Sequence, residues 1–410
     1  MKSSDKVRHT RLALLVAMAC SASTVTAADW KQFRGPTGSG AASAEECPVN
    51  WSTSDNLAWQ ADLPGRGLSS PIVVAGRVLV TACSGIRQDR LHILCFDQQS
   101  GQPLWERQFW ATGRTQTHPK TSTAAPTPVS DGSAVYALFS TNDLIALDLD
   151  GNLLWLRGLT HEYPNASNSL GMASSPVVAD GTVVVMLETD SQAVALGVDC
   201  QTGQTTWELE RPRLANWTSP TLLRGANNQT IVALQSSKGM SAHDPRSGTQ
   251  LWNFERGCSS TPSGAAAGDI AFVPSNGLVA LRGNNLSGTP DILWESSRLQ
   301  PSTPSPLLSD GRLYVINRSI LKCADATTGD VLWQLRIEGD FTSSPVAAGK
   351  RIYVFSEAGV GQVIEDQGDS GSIVGGGDLK ETFLCTPAVA DGAIFVRSDQ
   401  HLFKIATKQP

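Results

Sequence analysis

Few stretches of this 410-residue chain combine residue types that do chemistry, and the two that first stand out sit in similar contexts. Gly368-Asp369-Ser370-Gly371 has the make-up of a serine-nucleophile segment, which works only when a separate His and an acid are brought against the Ser. Asp148-Leu149-Asp150-Gly151 begins like a calcium loop but lacks the later oxygen ligands and the closing Glu. No HExxH, no phosphate-binding GxxxxGK[ST] and no His/Cys set with zinc spacing occurs. The sequence therefore assigns no catalytic and no metal-ligating residue.

Two polar segments have the make-up of binding loops instead. Residues 106–127 carry Arg114, Gln116, His118, Lys120 and Ser122, and residues 156–175 carry His161, Glu162, Tyr163, Asn165 and Asn168. Cations, hydroxyls, amides and imidazoles on enlarged loops of a rigid scaffold are a common way to hold a ligand, and His titrates near neutrality. Trp217 joins them as a loop Trp outside any regular pattern. The named candidates are Arg114, His118, Lys120, Ser122, His161, Tyr163, Asn165 and Trp217. The competing account is a plug of polar loops bonded to one another.

The elements that must position these loops follow from the tryptophans. The chain has 11 Trp against four Tyr, and seven Trp recur in one local setting. Trp105 ends DQQSGQPLW, Trp155 ends DLDGNLLW, Trp207 ends DCQTGQTTW, Trp252 ends DPRSGTQLW and Trp333 ends DATTGDVLW; Trp294 closes a lengthened copy and Trp59 a variant with Asp55 in the Gly place. A Ser-Pro or Thr-Pro step interleaves with them, ending at Pro71, Pro128, Pro176, Pro220, Pro262, Pro306, Pro345 and Pro387. After each comes a Gly and an alternating apolar run such as RVLVTA or TVVVML, the signature of strands joined by tight turns. One copy has Gly375 in the Trp slot, with Ser370-Gly371 still in register. Both chemistry-like motifs above fall on this repeat turn.

Units of about 45 residues, each with four short strands and one large aromatic, predict an all-β fold: an eight-bladed β-propeller of four-stranded antiparallel blades. The last copy has three strands and the region of Trp59 one, so an N-terminal strand is expected to complete the last blade and close the ring. The seven Trp (59, 105, 155, 207, 252, 294, 333) are expected to dock blade on blade, with the turn Gly at positive φ. An Arg follows each of them (66, 107, 157, 211, 256, 298, 336), read either as a positive collar or as strand-end residues paired with the repeat's Asp.

Residues 1–28 read as a secretory signal: basic up to Arg11, apolar through LALLVAMAC, then small residues to Ala28. Lipid attachment at Cys20 is the rival, but Ala17 and Met18 match a lipoprotein site poorly. Residues 29–50 form an N-terminal arm and 51–410 the propeller. This predicts export to the periplasm or the extracellular space. The remaining seven Cys are odd in number and lie mostly in apolar runs, which does not indicate a disulfide scaffold. The net charge of −6 becomes more negative without the basic leader, which argues against a nucleic-acid partner. No stretch after the leader is long and apolar enough to span a membrane as a helix.

The DxxTGxxxW repeat with its SSPxVxDGxVxV strand resembles the pyrroloquinoline-quinone (PQQ) type repeat of quinoprotein propellers, over roughly residues 29–405. The opener Asp29-Trp30-Lys31-Gln32-Phe33-Arg34-Gly35-Pro36 is similar to the start of exported PQQ-binding-like repeat proteins. That resemblance implies a fold shared by quinone enzymes and by non-catalytic scaffolds such as the outer-membrane assembly factor BamB. The enzymes' pattern includes an adjacent Cys-Cys pair and calcium-ligating Glu and Asn, and no adjacent Cys pair occurs here. The expectation is a monomeric, non-catalytic binding module without cofactor, for an envelope protein, peptide or polysaccharide. A PQQ-dependent dehydrogenase with calcium, or another secreted propeller enzyme with a loop-borne site, is the alternative.

Overall fold

A computed structural model describes residues 29–42, 46–225, 228–283 and 288–407. The expected signal segment and Cys20 lie outside these residues. The described chain is a β-propeller of antiparallel sheets built from short strands, each running from an inner strand of two to four residues to an exposed outer one. The first sheet is typical, with strands Ile72–Val74, Arg77–Ser84, Arg90–Asp97 and Pro103–Trp110 in that order. Its inner three strands are buried and its outer strand half exposed, because only the outer edge of a radial sheet meets water.

Eight four-stranded antiparallel blades were expected; the structure corrects this, with seven four-stranded sheets and one six-stranded sheet. In the six-stranded sheet, Val346–Ala348, Arg351–Phe355, Val360–Asp366 and Gly371–Asp378 are antiparallel. Two pieces of the N-terminal arm add to its edges in parallel: Ala41–Ala42 beside Val346–Ala348 and Asn50–Trp51 beside Gly371–Asp378. The last sheet joins Leu57–Asp62, which follows the arm, to His401–Ala406, the last strand of the described chain. A second correction concerns Pro262, which is not the repeat step of its sheet. Ser263-Gly264 occupies that place, two residues later, and Gly264 leaves its carbonyl to the arm.

Each repeat Trp packs on the glycine of the following sheet, not on its own. A Cβ at Gly101, Gly151, Gly203, Gly248 or Gly329 would stand 2.5–2.8 Å from the ring of Trp59, Trp105, Trp155, Trp207 or Trp294 respectively. Those glycines also sit at φ between 70° and 83°, so the position excludes a side chain on both counts. In the lengthened copy Gly283 takes this role under Trp252, and Gly371 takes it under Trp333. The indole N–H of Trp59, Trp105, Trp155, Trp207 and Trp294 donates to a carbonyl of the next sheet's turn at 2.8–3.1 Å. For Trp333 the acceptor is the Asp366 carboxylate, at 3.1 Å. A register shift in the strand pairing sits beside the Trp in each of these sheets, as between Cys95 and Phe96, and such bulges re-aim a side chain. Cys95 and Cys323, directly opposite a Trp, are buried as small packing residues.

The degenerate copy is repaired by the arm. Trp51 is 4% exposed, stacks on Phe355 at 5.5 Å and packs against Gly361 and Gly377. Gly375, in the expected Trp slot, lies where a Cβ would be 2.4 Å from the Val49 carbonyl. The missing Trp is thus supplied from 320 residues earlier in sequence, on a separate strand. Truncating a fully packed Trp costs roughly 3–5 kcal/mol through lost burial and the cavity left behind. Trp51→Ala is expected to lose stability on that scale in denaturant unfolding. Trp110→Ala should lose under about 1 kcal/mol, since Trp110 is 65% exposed and engages only Arg90, 4.5 Å from its ring.

Candidate functional site

The inner strands surround a channel whose waist is a ring of hydroxyls. Ser70, Thr127, Ser175, Ser219, Ser263, Ser305, Ser344 and Thr386 occupy one repeat position on successive sheets. Each backbone N–H in this series, from Ser70 to Ser344, donates to the hydroxyl oxygen of the next residue, at 2.9–3.0 Å. The repeat's Ser/Thr-Pro step therefore serves a purpose beyond starting a strand. Its hydroxyl satisfies the amide that the neighbouring inner strand leaves open.

The arm closes one end of this channel. Trp30 bridges Val73, the Lys31 carbonyl accepts from Ser130 N–H, and the Ser39 carbonyl accepts from Leu308 N–H before the arm reaches Ala347. Arg34, 2% exposed, donates to the carbonyls of Gly264, at 2.8 Å, and Pro306. Burial lowers its pKa to about 9. Phe33 forms a floor, and the space between floor and mouth is a funnel of about 230 Å³ lined also by Leu68, Lys120, Thr121, Trp217 and Leu384.

The mouth is framed by the two enlarged loops, which are anchored by buried polar groups. Asp143 is 1% exposed and accepts from the Thr112 amide at 3.0 Å and from the hydroxyls of Thr112 and Thr141, both at 2.6 Å. Asn142 Nδ2 donates to the Ala166 carbonyl at 2.5 Å, and Met172 N–H donates to Ser140 Oγ at 2.6 Å. Lys120 reaches across to the six-stranded sheet, where Nζ donates to Glu357 Oε2 at 2.8 Å, and Glu357 also accepts from Thr342 Oγ1 at 2.6 Å. These partners hold the Glu357 carboxyl below its usual pKa despite partial burial. Trp217 anchors to the Gly171 carbonyl at 2.8 Å.

Of the eight candidate residues, Lys120 and Trp217 line the funnel. His118 is exposed beside them, its Nδ1 accepting the Lys120 amide at 3.1 Å, and Arg114 is exposed and bonded to Gln116. His161 and Asn165 are exposed on the second loop. Ser122 is fully buried, and Tyr163 is buried with its hydroxyl on Glu208 at 2.8 Å, so both sit in the loops' packing. The Arg-to-repeat-Asp pairing is corrected. Arg107 and Arg157 donate to the Gly151 and Gly203 carbonyls of the next sheet, while Asp97 and Asp199 accept amides of their own turns. Ser370 lies on a turn, its hydroxyl near Gln367 and Asp369.

Two polar constellations escape the sequence patterns because their members are distant or unremarkable in sequence. Ser84 Oγ lies 2.7 Å from His92 Nε2, and His92 Nδ1 lies 2.6 Å from Glu106 Oε1. The order is that of a hydrolytic triad, but His92 is 2% exposed and neither it nor Ser84 lines any cavity described here. The chain of bonds ties three strands of one sheet together. The second is a buried network: Arg211 Nε donates to Glu188 at 2.7 Å, Asn216 Nδ2 donates to the same carboxylate at 2.9 Å, and Arg211 Nη1 donates to Ser241 Oγ at 2.8 Å, which lies 2.8 Å from His243 Nε2.

A family model described as outer membrane protein assembly factor BamB matches residues 48–171, 162–277, 276–374 and 317–409. The chain belongs to this family. It is 26% identical to BamB of Moranella endobia over 182 residues, 43% of this chain and 41% of that one. It is 29% identical to BamB of Escherichia coli over 169 residues, 40% of this chain and 38% of that one. The alignments thus span about two fifths of these relatives' length. Among solved structures, BamB from Moraxella catarrhalis superposes with a TM-score of 0.61 at 16% identity, over 86% of this chain and 98% of that one. A europium-containing methanol dehydrogenase gives 0.69 at 12% identity over 90% of each, and a quinohemoprotein alcohol dehydrogenase from Comamonas testosteroni gives 0.66 at 12%, over 93% and 81%. At these identities the structural likeness establishes the propeller fold alone.

Burial, with a smaller contribution from nearby Arg211, lowers the His243 pKa to about 4. The folded state therefore keeps His243 neutral where the unfolded chain would bind a proton, so stability is full above about pH 6.5 and falls as the pH drops toward 4. The loss should reach about 3 kcal/mol. Urea unfolding from pH 7.5 to 4.5 is expected to show a slope that is reduced in His243→Gln.

Proposed function

We propose that this chain is an exported, monomeric, non-catalytic scaffold of the cell envelope that docks a protein, peptide or polysaccharide partner at the loop mouth of its channel. The carrying observation is the asymmetry of the channel: the chain's own arm occupies one end, and the other opens between the enlarged loops with Lys120 and Trp217 in its wall. Family membership supports a scaffold role, since the matched relatives are named as outer-membrane assembly factors. Export to the periplasm rests on the leader-like residues 1–28. No helix among the described residues is long and apolar enough to cross a membrane. We read the architecture as eight blades: the antiparallel core of the six-stranded sheet counts as one, and Leu57–Asp62 closes the ring.

The dehydrogenase neighbours favour a second reading, quinone-dependent oxidation. The described residues do not fit that group. No three His, Cys, Asp or Glu side chains among them converge as metal ligands, the funnel wall apart from Lys120 is hydroxyl and apolar, and Glu357 at the mouth is engaged by Lys120 and Thr342. We derive no step through PQQ.

The docking reading is checked by photo-crosslinking in the native envelope, with a photoreactive residue at Leu170 on the mouth or at Leu332 on the outer rim. The partner should crosslink from 170 and not from 332. Lys120→Ala with Trp217→Ala should reduce that crosslink about tenfold or more, consistent with loss of a central aromatic contact, while the melting temperature shifts by only a few degrees. Equal crosslinking from both positions, or substrate-dependent dye reduction with added PQQ and calcium, would overturn the reading.

A further inference from the structure

We infer that the waist of the channel binds a carboxylate, held by free hydroxyl hydrogens of the Ser/Thr ring, with the buried Arg34 guanidinium behind the Phe33 floor. The inference rests on the reading that the loop mouth admits a ligand, and it specifies the chemistry of what enters.

Three observations carry it. Seven of the ring hydroxyl oxygens are committed as acceptors of a neighbouring amide. A hydroxyl oxygen engaged in that way still has its own hydrogen to donate. Among the described residues none of these seven donates to a protein acceptor, and all line one funnel. Donors gathered around an axis without an acceptor are matched best by an anionic oxygen, whose hydrogen bonds are roughly twice as strong as those of a neutral one.

The second observation is Arg34. It lines the small space beneath the ring together with Ser175, Ser219 and Ser263, is 2% exposed, and has only carbonyl oxygens as partners. Its Nε has no partner at all. A guanidinium desolvated without a carboxylate is unfavourable; Arg34 does not itself line the funnel, but a negative charge at the waist, across Phe33, partly offsets that deficit. The third is the rest of the wall. Phe33, Leu68, Ala125, Ala173 and Leu384 give the funnel apolar surface, and about 230 Å³ suits a carboxylate on a short apolar body. Two sources present such a group: a short-chain carboxylic acid, or the free C-terminus of a peptide threaded through the mouth.

Calorimetric titration of the full chain with two matched pairs tests this: hexanoate against hexanamide, and acetyl-Ala-Ala-Phe against its C-terminal amide. At least one acid should bind about tenfold tighter than its amide, and the pair that does so names the source. Thr127→Val should weaken the acid about threefold or more through the lost donor, whereas Thr127→Ser should bind it normally. Acid and amide binding alike in both pairs, absence of binding by either acid, or unchanged acid affinity in a folded Thr127→Val, would overturn the inference. If Thr127→Val does not fold, the matched pairs on the unaltered chain decide. A crosslink from Leu170 without acid preference would sink the carboxylate site and leave the docking reading standing. Acid preference without any crosslink would do the reverse.

Discussion

Seven of the junctions between sheets among the described residues depend on one contact, an indole laid on the bare backbone of the next sheet's turn. The contact has two halves that constrain each other. The Trp buries a large apolar surface only if the facing turn has no side chain, and the turn can adopt its positive φ cheaply only with glycine. The indole N–H then satisfies a carbonyl that the tight turn would otherwise leave open, as Trp155 does for Cys200. Because the Trp comes from one sheet and the Gly from the next, the contact is also what orders the sheets around the channel.

The six-stranded sheet shows how strictly this slot must be filled. Its own copy of the repeat has Gly375 where the Trp belongs, and a lone decayed copy would leave a gap between packed sheets, where voids are costly. The arm fills it with Trp51, carried on a strand that pairs with the glycine run 375–377. The same arm, on its way there, plugs one end of the channel with Trp30, Phe33 and Arg34. Sealing the ring's weakest sheet and blocking the channel are thus one structural act by one segment. The polarity of the channel, and hence the side on which a ligand can approach, follows from it.

Much of this is legible in the amino-acid sequence. The repeat spacing, the seven docking Trp and their turn glycines, and the reading of Asp148–Gly151 and Gly368–Gly371 as turns all rest on periodicity, which local physics writes directly into sequence. The enlarged loops were legible too, as departures from that period. The illegible parts are those in which one copy differs from the rest for a reason located elsewhere. The role of Trp51 is illegible because nothing near it in sequence announces the distant Gly375. Pro262 reads as a repeat step because a Pro two residues out of register still falls within the spread of the repeat spacing. Ser84, His92 and Glu106 meet because neighbouring strands pair, which no motif spells out.

The site follows the same division. The sequence by itself determined the kind of element and its repetition, since turn chemistry and strand alternation act over a few residues. It also placed polar loops at one mouth. Only the tertiary structure decided which loop residues face the channel: Lys120 and Trp217 do, while Ser122 and Tyr163 are spent on packing. Only the closing of sheet upon sheet turned the Ser and Thr before each strand into a ring, with amides and hydroxyls from chain segments about 40–60 residues apart paired around one axis. Those pairings are non-local, so no window of sequence contains them.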